Sequence, residues 1–132
     1  MTASGTRDAL TVAVAVSAGV HAALVPEHWE ERHVLGVGFA LATVALAATG
    51  TALHLNRFAP VAPAPAGLVL AGLTVLYLLS RTTGLPLTGH EEWDTVGIAT
   101  QVVQLAGVAL TARPITRTTR TRGGSHAQLT HA

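Results

Sequence analysis

The sequence predicts an all-α integral membrane protein, a bundle of four transmembrane helices. Three observations carry that prediction. The chain of 132 residues is 49% hydrophobic and only 11% charged, against about 25% charged in an ordinary soluble domain; its mean hydropathy is +0.46. Four apolar stretches approach the roughly 20 residues that a helix needs to cross a bilayer core. The charges then alternate in kind from one connection to the next.

The first stretch runs over residues 9–25, ALTVAVAVSAGVHAALV, and is expected to stop at Pro26. The second covers residues 34–55 and the third residues 62–80, whose start is marked by Pro60, Pro63 and Pro65. The fourth covers residues 95–112 and is closed by Pro114. Proline fits a first helical turn and stops a helix from beyond its end, so these positions read as boundaries. A transmembrane strand would alternate apolar and polar residues, and these runs do not. A soluble bundle would need polar outer faces, and these helices are apolar almost all round.

The basic residues are all arginine, with no lysine. Arg7 precedes span one, Arg57 lies between spans two and three, and Arg113, Arg117, Arg120 and Arg122 follow span four. The other two connections are mainly acidic, with Glu27, Glu30 and Glu31 beside a single Arg32 in one and Glu91, Glu92 and Asp94 after Arg81 in the other. Arginine in short loops favours the cytoplasmic side, which predicts both termini inside, in the cell membrane, with the acidic loops outside. Trp29 and Trp93 then fall at the outer boundary, where aromatic belts sit. A competing reading of span one is a cleaved signal, with Arg7, an apolar run and V-H-A at residues 20–22. The segment 113–132 has no apolar period and is expected to be a disordered basic cytoplasmic tail.

Several functions are excluded or disfavoured at this stage. With no cysteine there are no disulfides, thiolate metal sites or thiol nucleophiles. A net charge of +1 provides no field for nucleic acid. A channel would need several copies, and no acidic residue lies within a span to carry protons. The expected partners are the bilayer itself, further copies of the chain, or a larger membrane complex.

Polar side chains inside spans should face the bundle. Helical spacing groups them: Ser17 with His21; Thr43 with Gly50 and His54; Thr74 with Tyr77 and Arg81; and Asp94 with Gly97, Gln101 and Gln104. With the orientation above, most lie in the outer half, Gln101 about 10 Å deeper than Asp94 at 1.5 Å per residue. His21, Tyr77, Arg81, Asp94, Gln101 and Gln104 therefore form the candidate site for a small ligand or lipid. Arginine holds carboxylates and phosphates bidentately, and histidine titrates near neutrality. The alternatives stay open. As a small enzyme, the chain would use His21 as acid or base and Arg81 as an anion clamp. As pure structure, Arg81 would pair with Asp94 and the glutamines would bond across helices. A metal ion would be held by His21, His28, His33 and His90 with Glu91 and Glu92, flanked by Glu27 and Asp94; imidazole and carboxylate suit borderline divalent metals. Haem is a lesser option, for which His21 and His33 are the outer-side pair.

Three segments, HAALVPEH at 21–28, SRTTGLPL at 80–87 and EEWDTVGIATQVVQLAG at 91–107, resemble short four-span membrane proteins typical of high-GC actinobacteria. The Ala, Val and Arg bias without lysine suits such a source. The resemblance spans most of the chain except the tail and implies a fold and a membrane location, but no activity.

Overall fold

The computed structural model describes residues 3–55, 63–86 and 88–112. Four helices make it up: α1 (Ala3–Glu31), α2 (His33–His54), α3 (Pro63–Thr82) and α4 (Thr95–Thr111). Among the described residues there is no strand, only an isolated bridge between Leu85 and Gly89. Arg57 and the expected tail lie outside the described residues.

α1 corrects one boundary. Pro26 was expected to stop the helix, yet α1 continues through it to Glu31. Proline removes one intrahelical hydrogen bond and crowds the carbonyl four residues back. Packing carries the helix past that point: His28 stacks on Phe39 with ring centroids 4.2 Å apart, and Trp29 lies against Gly36. The proline itself is exposed, so its ring does not intrude on these contacts.

The break comes at Arg32, whose backbone is extended (φ −153°, ψ 116°). Its amide still donates to the His28 carbonyl at 2.9 Å, and its own carbonyl accepts from Leu35 at 2.9 Å and Gly36 at 3.2 Å. One residue therefore turns the chain from α1 into α2. So tight a turn needs a residue without a side chain: a Cβ on Gly36 would lie 2.7 Å from Trp29 Cα. Nearer the other end, Val14 Cγ1 is 3.3 Å from where a Cβ on Gly50 would sit, so the two helices run antiparallel.

α3 ends at Gly84, which takes positive φ (+74°) and sends its amide back to the Leu79 carbonyl at 2.9 Å. Left-handed backbone suits glycine as a helix terminator. The connection folds back on itself, and Glu91 N–H bonds the Ser80 carbonyl at 3.0 Å. α4 then starts at Asp94, whose side chain caps the Gly97 amide. α4 descends beside α3, with Thr111 against Gly67 and Gly107 against Leu70.

The arrangement is up-down-up-down. α1 packs most extensively on α2, α3 on α4, and α1 also packs on α4. Arg32 donates from its guanidinium to the Thr88 carbonyl, which ties the first hairpin to the connection of the second. The two acid-rich connections thus meet at one end of the bundle.

The interior is small and partly polar. Its buried apolar residues are Leu10, Ala13, Val14, Leu46, Leu53, Ala66 and Leu70, and Ser17, Thr74, Thr100 and Gln104 are buried among them. The large apolar side chains point outward instead, including Leu41, Val44, Leu68, Val102 and Leu105, with Leu68 75% exposed. Such a surface is unfavourable in water and fits a hydrocarbon solvent, where helices associate through small residues and polar bonds. Three of the helices, α1, α2 and α3, are long and apolar enough to cross a membrane. α4, apolar and 17 residues long, measures about 26 Å at 1.5 Å per residue.

Candidate functional site

Arg81 is the centre of the polar end. It sits in the last turn of α3, with its side chain only 9% exposed. One guanidinium nitrogen pairs with Glu91, and the other meets Asp94 Oδ2 at 2.7 Å. Its Cζ lies 4.8 Å from the centre of the Tyr77 ring, one turn back on the same helix, in cation–π range. Tyr77 in turn meets Trp93 edge to face, with centroids 5.8 Å apart.

Asp94 divides its work between its two oxygens. Oδ1 accepts the Gly97 amide at 2.6 Å, which satisfies one of the orphan donors of the first turn of α4, while Oδ2 serves Arg81. Partial burial opposes ionisation of Asp94, but the Gly97 amide and the Arg81 guanidinium outweigh it and hold the carboxyl below its ordinary value. Gly97 makes the fit possible, because a Cβ there would lie 2.6 Å from Tyr77 Cε2 and 2.7 Å from its hydroxyl.

Tyr77, Arg81 and Asp94 thus come together as their helical faces predict. Gln101 and Gln104 continue inward along α4, and Gln104 meets the Thr74 hydroxyl at 3.3 Å. His21 belongs elsewhere. Its Nδ1 bonds the Ser17 carbonyl at 2.8 Å, and its ring lies 5.4 Å from that of Phe39 on α2. A carbonyl only accepts, so Nδ1 carries a proton, and in the neutral ring Nε2 is the acceptor.

The remaining histidines are dispersed. His28 bonds the Leu24 carbonyl at 3.0 Å, His33 lies edge-on to Trp29 at 5.4 Å, and His90 is exposed. Of the carboxylates, Glu91 is engaged by Arg81, and Glu27 and Glu92 are exposed. Among the described residues, no group of three or more His, Asp or Glu is gathered so as to hold a metal ion. The two histidines considered for haem, His21 and His33, engage Phe39 and Trp29 respectively.

Sequence reasoning missed Glu91 as a partner of Arg81 and Thr88 as the partner of Arg32. Helical spacing relates residues within one helix; these pairs form only when a connection folds back. The available signal was the turn-forming TTGLPLTG run, which returns the chain to the end of α3.

Helices with apolar exteriors, a small polar-containing core and an ion-paired cap define a small helical membrane protein. Compared with protein families, curated proteins and solved structures, the chain finds no match.

Proposed function

We propose that the chain is a non-catalytic, four-span component of the cell membrane. It binds a small, neutral, hydrogen-bonding ligand in the polar seam beneath Arg81, at the outward-facing end of the bundle. The observation that supports this reading is a set of buried side-chain atoms short of close partners: Gln101 Oε1 has none, and the Tyr77 hydroxyl and Arg81 Nε have no close one, the hydroxyl only facing the guanidinium. They lie on the facing helices α3 and α4 and offer a hydroxyl, a donor and an acceptor. Buried groups of this kind favour a ligand that carries complementary donors and acceptors.

The ligand is neutral because Arg81 is already matched. Glu91 and Asp94 both engage its guanidinium, so an anionic headgroup or carboxylate must first displace one of them. The same pairing argues against Arg81 as the anion clamp of an enzyme. His21, the other half of that enzyme reading, is committed to Ser17 and Phe39.

α4 completes the fourth span because it runs the depth of α3, from Tyr77 beside Gly97 to Gly67 beside Thr111. The arginine distribution supports cytoplasmic termini, and the joined acidic connections then face outward.

The test is mass spectrometry of solvent extracts from full-length protein in lipid nanodiscs. Wild type should retain a neutral polar solute that Gln101→Leu loses, while Val102→Ala, altered on the lipid-facing side, keeps it. Identical extracts from wild type and Gln101→Leu would remove the ligand reading.

A further inference from the structure

A second polar site lies deeper, where α1, α3 and α4 meet, and it does not depend on the reading above. Ser17 and Gln104 are both fully buried and Thr74 nearly so. Their level follows from the packing. A Cβ on Gly107 would lie 3.4 Å from Ala13 Cβ and would meet Leu70 Cδ1. Ser17 is one turn beyond Ala13 on α1, Thr74 one turn beyond Leu70 on α3, and Gln104 one turn before Gly107 on α4. Because α1 and α4 run in opposite directions, these steps all go the same way along the bundle. Helical side chains also lean toward the N-terminus of their helix, which carries the Gln104 amide further toward Ser17.

The hydrogen bonds at this level do not balance. Thr74 has one hydroxyl proton, with the Leu70 carbonyl at 3.0 Å and Gln104 Oε1 at 3.3 Å. Only one end of the Gln104 amide can meet Thr74, whichever way the amide is turned. The other end has no partner, and neither has Ser17 Oγ. The two lone pairs of the Ser17 carbonyl are taken by the helical backbone bond within α1 and by His21 Nδ1, so it cannot serve Gln104 as a free acceptor. In a hydrocarbon surrounding, no external solvent repairs this deficit. Leaving the groups bare costs more than immobilising a water molecule does.

We infer that an ordered water molecule, held by Ser17 Oγ and the side-chain amide of Gln104, bridges α1 and α4 in the middle of the bundle. Water both donates and accepts, so it suits a hydroxyl and either end of an amide. It completes a polar layer across three helices, Ser17–water–Gln104–Thr74, within an otherwise apolar core. Such a layer favours one depth of α4 relative to α1, since sliding by a turn would strand Gln104 among Leu10, Ala13 and Leu70.

The test is water-edited solid-state NMR of the full chain in lipid bilayers, with glutamine side chains and, as the dry reference, valine backbone amides labelled with nitrogen-15. The chain has three glutamines, at 101, 104 and 128, so Gln101→Met with Gln128→Ala leaves Gln104 as the sole signal. Magnetisation should reach its side-chain nitrogen from water within the mixing times that leave α2 valine amides unreached. In Ser17→Ala, with the fold checked by circular dichroism, that transfer should fall severalfold. A Gln104 signal as dry as the lipid-embedded amides would overturn the inference. So would strong transfer that Ser17→Ala leaves unchanged, because the water would then not be held by Ser17. If the double variant fails to fold, Gln104→Asn in an otherwise native chain identifies the Gln104 signal by its loss.

Discussion

Replacing Gly36 by alanine should loosen the tip of the first hairpin, and its neighbour Gly38 provides the control. A Cβ on Gly36 would lie 2.7 Å from both Cα and Cε3 of Trp29 and 2.9 Å from its Cβ. Carbon atoms in contact normally sit about 3.5–4.0 Å apart. The Trp29 ring can rotate, but its Cα is backbone, so α1 and α2 must separate by most of an ångström. Overpacking of this kind costs about 1–3 kcal/mol. At Gly38 a Cβ meets nothing within 4 Å. Both substitutions gain the same helix propensity, about 0.5–1 kcal/mol, so the difference between them isolates the steric cost. Gly38→Ala should be neutral or slightly stabilising, and Gly36→Ala should fall about 1–3 kcal/mol below it. Unfolding by sodium dodecyl sulfate in mixed micelles, followed by tryptophan fluorescence, measures both. Equal stabilities for the two variants would refute the close helix approach at Arg32.

The remaining predictions concern the polar cap and the topology. Arg81→Met removes the shared partner of Glu91 and Asp94. Because Asp94 is half exposed, the loss should lie between surface and buried cases, about 1–3 kcal/mol, and adding Asp94→Asn to it should cost less than Asp94→Asn alone in the same micelle titration. Asp94 has a folded-state pKa below its unfolded value. Its stabilising contribution is therefore complete above about pH 3.9 and is lost as pH falls through the depressed value; Asp94→Asn should flatten the acid limb of a stability–pH curve. Gly97→Ala should push Tyr77 away from Trp93, visible as a changed Trp93 emission in a Trp29→Phe background, while an unchanged spectrum would contradict the packing. Since the native chain has no cysteine, single cysteines report topology. Thr83→Cys should react with an impermeant maleimide from outside the cell, and Ala132→Cys only after lysis.

Much of this architecture is legible in the order of the residues, because lipid imposes a simple rule. Every backbone group must be satisfied within its own segment, so an apolar run of sufficient length is a helix whatever its neighbours. That reasoning places α2 and α4 almost to the residue. The grouping of Tyr77 with Arg81, and of Asp94 with Gly97, Gln101 and Gln104, follows from helical periodicity alone. The gathering of both acidic connections at one end follows from counting helices.

Other features depended on what each face meets. Pro26 reads as a stop from local chemistry, but contacts of His28 and Trp29 with α2 carry α1 through it. His21 shares a level with the outer polar groups in the sequence, yet it turns to Phe39 and leaves Arg81 to Glu91 and Asp94. Periodicity says which residues share a face and how deep they lie; it does not say which helix that face will touch. That choice is made only when distant segments close on one another, as when Arg32 reaches Thr88 and Glu91 returns to Ser80. Composition and spacing therefore determined the solvent, the helices and their polar faces, and tertiary closure decided which of those faces became an ion-paired cap and which kept unpartnered groups in the core.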